Sequence, residues 1–116
     1  MSINERIRAA VLPVVGVCEP HTYEGDRDTY SVFEYTETPL AFFDNEVEVW
    51  KCNITLLLVL PLEINSLKLR RTLCNALIAA GFTAPTVTDV GDGTEQCWQL
   101  QFEGETEAPA SGEDLI

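Results

Sequence analysis

The residues best suited to acid–base or metal chemistry are grouped around a single histidine. His21 is the only histidine in the chain, and Glu19, Glu24, Asp26 and Asp28 lie close to it in the sequence. Carboxylates grouped in this way can bind hard cations, but the ligand spacing of a calcium loop is missing. No serine or threonine has an evident base beside it for nucleophilic catalysis. A solvated loop is the simpler interpretation, and we expect no metal site here.

The four cysteines show no metal-ligand spacing either. Cys18, Cys52, Cys74 and Cys97 are far apart in the sequence, without the CxxC or CxxH pairs of a zinc site. Cys52 falls in a strand-like pattern and Cys74 in a helical one, where small apolar side chains are commonly buried. We expect free structural thiols, and an enzyme or redox protein built on them is the least favoured class.

The sequence contains no recognisable nucleotide-binding loop. The segment GDGT, residues 91–94, is too short for a phosphate loop and is typical of a hairpin turn. We therefore expect a protein that is not an enzyme and needs no cofactor.

Length and charge narrow the class of protein. A chain of 116 residues suffices for one compact domain. Its 19 acidic against 7 basic residues give a net charge of −12, which disfavours a protein that grips DNA phosphates but not one that DNA slides past. The N-terminus lacks a signal-peptide pattern, and no apolar run approaches the roughly 20 residues of a membrane span. We expect a cytosolic protein without membrane contact.

The stretch Glu46–Leu60 is the element around which the rest must be arranged. Its even positions from Trp50 onward are all apolar, which is the period of a strand with one face in a core. Its second half is apolar on both faces. We therefore expect a cover on both sides, by a helix on one and by a second helix or a neighbouring subunit on the other.

Weaker patterns predict the other elements. Ser2 and Glu5 have the spacing of a capping box for a helix over residues 3–12, which Pro13 should end. Residues 14–28 read as an exposed loop, and residues 38–45 as a connection. The remaining elements are a strand over residues 29–37, a helix from an Asn65 or Ser66 cap to about Ala80, and a hairpin of residues 84–90 and 95–103.

The predicted fold is a single α+β domain over residues 1–104. Two helices would pack on a four-stranded, largely antiparallel sheet in the chain order α-β-β-α-β-β. Residues 105–116 are acidic and almost free of large apolar side chains, so we expect them to form a disordered tail.

An aromatic and acidic region suggests a subunit interface. Within it, Tyr35, Phe42 and Phe43 are the candidate interface residues, and the alternative is that the aromatic side chains are simply core. The aromatic residues of this region are Tyr30, Phe33, Tyr35, Phe42, Phe43 and Trp50.

A basic cluster on the second predicted helix contrasts with the acidic composition of the whole chain. Lys68, Arg70 and Arg71 should lie on its outer side, near a helix N-terminus whose dipole they oppose. A partner surface of acidic groups would offset this unfavourable interaction with the helix dipole. If that surface belongs to another copy, a head-to-tail contact would build a ring. The alternative is a solvated helix face paired with local acids.

The order of these segments resembles a known family. An aromatic strand (VFEYTETP), an acidic segment (FFDNEVE), a long apolar strand (VWKCNITLLLVL), a helix ending LIAAGF and a hairpin ending WQLQFEGE follow one another. This succession, over residues 3 to 104, resembles the tail terminator and tail-to-head joining proteins of long-tailed bacteriophages. The cysteines and the apolar density of residues 54–60 depart from the family pattern.

The resemblance implies a structural protein of the virion tail, made in the host cytoplasm. Such proteins form a ring, commonly a hexamer, that ends the tail tube and docks on the head–tail connector, with DNA passing through the lumen. An acidic lumen would repel DNA phosphates instead of holding them. The candidate channel-facing residues are Glu34, Glu37, Asp44, Glu46 and Glu48. The competing class is a monomeric adaptor or small-ligand-binding module that uses the aromatic region as a pocket.

Overall fold

Two helices and five strands make up the chain in a computed structural model, which describes residues 2–43 and 46–107. The elements are α1 (Ile3–Val15), β1 (Cys18–Pro20), β2 (Tyr30–Phe43), β3 (Glu46–Leu60), α2 (Leu67–Ala79), β4 (Thr86–Asp89) and β5 (Gln96–Glu107). The strands form one sheet in the order β1-β2-β3-β5-β4. The β1–β2 pair is parallel and the other three pairs are antiparallel.

The prediction of a four-stranded, largely antiparallel sheet is wrong, because β1 adds a fifth strand that makes the sheet mixed. β1 lies within the segment predicted to be a loop, and its three residues are too few to show a period. Hydrogen bonds to β2 hold the segment in place: the Ser31 amide donates to the Val17 carbonyl oxygen at 3.0 Å, and the His21 amide to that of Phe33 at 2.9 Å. Pro20 is tolerated because β1 is an edge strand.

Helix α1 continues past Pro13, where the sequence predicted its end. A proline lacks the N–H that would bond the carbonyl oxygen four residues earlier, and its ring crowds that carbonyl, but Pro13 is exposed in the last turn of α1, so only two helical residues follow it. Gly16 ends the helix instead. It adopts a φ of 89°, and its amide donates to the Leu12 carbonyl oxygen at 2.9 Å.

The long strand β3 has the predicted bounds, whereas β2 continues beyond the predicted end at residue 37 to Phe43. The added residues pair with β3 and bulge near Leu40. Pro39 is tolerated there because β1 pairs only with Ser31–Phe33, so the outer edge of β2 carries no described strand at Pro39. The expected connection over residues 38–45 is therefore mostly strand.

Both helices pack on the same face of the sheet. A single buried cluster joins the apolar stripes of α1 and α2 to the inward side chains of β2, β3 and β5. The central members of this cluster are Ile3, Ile7, Val11, Phe33, Ile54, Leu56, Leu58, Leu73, Leu77, Leu100 and Phe102. Within residues 2–43 and 46–107, no helix covers the other face, which we call the open face. The cover expected on both sides of β3 is thus found on one side within the described chain.

The last strand reaches beyond the predicted domain boundary. β5 continues to Glu107, and Glu105, Thr106 and Glu107 pair with β3. Residues 108–116 of the predicted tail lie outside the described residues. None of the described helices has the length and apolar character needed to cross a membrane.

Candidate functional site

The β2–β3 hairpin extends past the helices as an arm, defined here as Glu37–Phe43 with Glu46–Lys51. Phe82 marks the end of the helical side, because a Cβ at Gly104 would lie only 2.7 Å from its ring carbons. Gly104 pairs with Cys52, and the core cluster includes no described residue of the arm. At the root of the arm, Arg6 of α1 donates to the carbonyl oxygen of Glu105, opposite Lys51, at 2.8 Å. Beyond this contact the arm is a part of the sheet whose helix-side surface is left for a partner or for solvent.

The predicted channel-facing acids are divided between the two faces of the sheet. Glu37 lies opposite the buried Cys52, and so on the helix side. Glu46 and Glu48 lie farther out on β3, beyond register shifts between Pro39 and Ala41 and between Ala41 and Phe42, so alternation from Cys52 does not assign them a face. Glu34 lies opposite Thr55 on the open face. All four acids are exposed. The fifth candidate, Asp44, lies outside the described residues.

The aromatic candidates are also separated. Tyr35 is half-buried and packs against the core cluster on the helix side, while Phe33 is fully part of that core. Trp50 is half-buried on the same side, opposite Pro39. The backbones of Phe42 and Phe43 pair with Val47 and Glu46 in the arm, and their side chains lie outside the description. Tyr30 is on the open face, 4.9 Å from Tyr23 between ring centres.

One of the three basic candidates has a partner inside the chain. The guanidinium carbon of Arg70 lies 3.7 Å from the centre of the Trp98 ring, and its Nε donates to Ser66 Oγ at 3.0 Å. Ser66 Oγ and Trp98 Nε1 both donate to Gln96 Oε1, at 2.9 and 3.0 Å. Arg70 therefore belongs to a polar cluster that ties α2 to β5.

Gln96 completes this cluster by holding the loop before α2. Its Nε2 donates to the carbonyl oxygens of Pro61 at 2.8 Å and Ile64 at 2.6 Å. The sequence analysis missed this role, because the partners lie more than 30 residues away and no local period connects them. The available signal was that Gln96 is a polar residue on the strand face of the apolar Trp98, Leu100 and Phe102.

The other two basic candidates remain on the surface. Lys68 and Arg71 are exposed on the outer side of α2. Leu67 and Ile78, which are 41% and 47% exposed, flank them on the same helix. Residues 67, 71 and 78 are four and seven positions apart, so they share one helix face. The outer face of α2 therefore combines two cations with two exposed apolar side chains.

Charge is unevenly distributed between the helices and the rest of the chain. Five of the seven cations lie on α1 and α2, and Glu5 is the one acid on either helix. In the part of the chain that the structure describes, the one ion pair is that of Lys51 with Glu103, at 3.5 Å. The acids of the arm and the cations of α2 are therefore both without an ionic partner within the described chain.

The open face is mostly polar, and the described cavities lie on it and along β5. Leu57 and Val32 form a half-buried apolar centre on it. A pocket of about 90 Å³ lies beside them and is lined in part by His21 and Glu34, which is small against the roughly 300 Å³ of a typical ligand site. Two open grooves of about 310 and 290 Å³ lie farther along β5. None of these cavities is lined by the candidate interface residues.

Three of the four cysteines have thiols that burial makes less acidic. Burial raises the pKa of the Cys18 thiol to about 11 and also raises the pKa of Cys74 and of Cys97. These thiols are protonated at neutral pH, which makes them weak nucleophiles. Across residues 2–43 and 46–107, no three His, Cys, Asp or Glu side chains converge in a way that could hold a metal ion.

Neither protein families nor curated proteins give a relative for this chain. No protein-family model matches it, and no curated protein matches it significantly. No family is therefore assigned.

Proposed function

We propose that this protein is a structural component of a long bacteriophage tail. It would form a ring at the head-proximal end of the tail tube, end tube growth and join the tail to the head connector. The proposal rests on the order of sequence segments, which resembles tail-completion proteins, and on the surfaces described above. The arm is the observation that carries it, because it presents the exposed acids Glu37, Glu46 and Glu48 and a half-buried Trp50 outside the described core cluster.

Ring formation requires two different surfaces on each copy, since a head-to-tail contact that closes uses one of each. The chain offers such a pair. The arm carries the exposed acids Glu37, Glu46 and Glu48, and the outer face of α2 is basic with exposed Leu67 and Ile78. Single apolar side chains that are about 40% or more exposed are common on small domains. Two of them beside unpaired charges form a patch, which favours a contact with another protein surface.

The proposed role toward DNA follows from charge alone. With a net charge of −12, the ring would expose mostly acidic groups to DNA in its lumen. Repulsion from the wall keeps phosphates from binding, so DNA would pass without being held. Glu34 and Glu37 lie on opposite faces of the sheet, and Glu46 and Glu48 belong to the arm together with Glu37, so Glu34 does not form one surface with the acids of the arm. The lumen would therefore use one of these two sets.

Assembly of the purified full chain tests the proposal. Mass photometry, analytical ultracentrifugation and negative-stain imaging are run over rising protein concentration, with and without purified tail tubes. We expect a discrete ring-shaped oligomer, or binding at one end of each tube. A protein that remains monomeric under both conditions, or a ring with a lumen lined by cations, would overturn the proposal. DNA-binding measurements serve as the control, and we expect no retention of duplex DNA at physiological salt.

A further inference from the structure

We propose that the outer face of α2 of one copy docks on the arm of the next copy. The contact would join Lys68 and Arg71 to the acids Glu37, Glu46 and Glu48. This inference deepens the proposed function and rests on it, because it names the two surfaces that close the ring. It assigns those three acids to the contact between copies and leaves Glu34 as the lumen candidate.

Charge is the first argument for this occupant. Glu37, Glu46 and Glu48 are exposed on the arm, and no described cation lies within ion-pairing distance of them. Lys68 and Arg71 are likewise exposed and unpaired within the described chain. Opposite charges that face each other across an interface favour the correct encounter and disfavour like-charged alternatives.

The apolar side chains and the lengths of the two surfaces also fit this contact. Trp50 is half-buried on the helix side of the arm, and Leu67 and Ile78 are exposed on α2. The 13 residues of α2 span about 20 Å at 1.5 Å per residue. The six β3 residues of the arm span about 20 Å at 3.3 Å per residue. The two surfaces are therefore matched in length as well as in chemistry.

The fold prevents the same contact from forming within one chain. Leu73 and Leu77 of α2 are buried against the sheet, so the outer face of this helix points away from its own strands. The arm begins where the helical side ends, beyond Gly104. An α2 face can therefore reach an arm only in a second copy. Since the two surfaces differ, the contact is head-to-tail and repeats around a ring.

Reversing the charges on each of the two surfaces, separately and together, tests the inference. Three variants are compared with wild type by sedimentation and negative-stain imaging: K68E/R71E, E46K/E48K, and the four substitutions combined. We expect each double variant to weaken self-association at least about tenfold, and the combined variant to restore it to within a few fold of wild type. Thermal unfolding of each variant shows that it is folded.

Matched controls separate this contact from the effect of net charge. E24K/D26K changes the net charge by the same amount as E46K/E48K, but lies in the exposed loop between β1 and β2. R8E/R27E is the corresponding control for K68E/R71E. We expect both controls to assemble like wild type. A ring that forms regardless of the reversals, or a combined variant as weak as each double variant, overturns the docking inference alone. A wild-type chain that never assembles overturns the proposed function as well.

Discussion

Arg70 stacks on Trp98, with the guanidinium carbon 3.7 Å from the ring centre. The two residues are 28 positions apart, and their contact holds the start of α2 against β5. Cation–aromatic contacts of this kind contribute about 0.5–2 kcal/mol, depending on how far they are removed from water. Arg70 is thus a structural residue, whereas Lys68 and Arg71 on the same helix are exposed.

We predict that Arg70→Ala lowers the free energy of unfolding by about 1–2 kcal/mol, because it removes the ring contact and the hydrogen bond to Ser66. Lys68→Ala and Arg71→Ala should each change it by less than about 0.5 kcal/mol. Urea unfolding followed by Trp fluorescence and by circular dichroism checks this. Equal losses for the three variants would contradict the distinction drawn between them.

A second prediction concerns Gln96, whose amide donates to the Pro61 and Ile64 carbonyl oxygens. Gln96→Glu keeps the shape but replaces the donor by a carboxylate facing those oxygens, so we expect a loss of about 2–4 kcal/mol at neutral pH. Protonation of the new carboxyl restores a donor. The loss should therefore shrink as the pH falls toward 4, as measured by urea unfolding of variant and wild type at each pH.

The matched comparison for that variant is Gln99→Glu. Gln99 lies on the same strand, on the open face opposite Leu57, and has no described hydrogen bond from its side chain. We expect Gln99→Glu to cost little and to show no recovery at low pH. Equal pH profiles for the two variants would remove the role assigned to Gln96.

At the root of the arm, we predict that Gly104→Ala is destabilising. The added methyl group would lie 2.7 Å from two ring carbons of Phe82, and overpacking of this kind costs about 1–3 kcal/mol. Phe82→Leu gives up part of the core but makes room. The double variant should therefore lose less stability than the sum of the two single changes, a coupling that a double-mutant cycle measures directly. Additive losses would show that the two side chains do not compete for this space.

The buried thiol of Cys18 gives a prediction for pH. Its pKa is raised by burial to about 11, from an ordinary value of 9.0. The folded state thus keeps a proton that the unfolded state loses, and stability must fall as the pH rises between these values. From pH 8 to 10 the contribution of this group is up to roughly 1.4 kcal/mol. The free energy of unfolding of wild type should therefore decrease more steeply than that of Cys18→Ala over this range. Parallel decreases would show that Cys18 ionises equally in both states.

The parts of the fold specified by local pattern were predictable, and those specified by distant partners were not. The alternation of Glu46–Leu60 predicted β3 with its observed bounds, because one face lies in the core. β1 could not be predicted, since three residues show no period and the strand exists only beside β2. For the same reason Pro39 suggested a loop, although β3 holds it in a strand.

The candidate site follows the same division. Exposed Lys68 and Arg71 follow from helical spacing, whereas the position of Arg70 depends on a ring contributed by β5. The acids between residues 34 and 48 were predicted as one group. The structure places Glu34 and Glu37 on opposite faces, because the register of β2 against β3 decides which side each residue takes.

Pro39 has a consequence for the chain before it meets a partner. Beyond Phe33 the outer edge of β2 has no described neighbouring strand, and bare edges of this kind recruit foreign strands into fibres. Alternation from Ser31 and Phe33, whose backbone groups bond to the β1 side, directs the ring nitrogen of Pro39 outward. At Pro39 a carbonyl oxygen of an added strand would therefore find no N–H donor. We expect Pro39 to disfavour amyloid-like stacking of newly made copies, because it removes a hydrogen-bond donor from the exposed edge of β2.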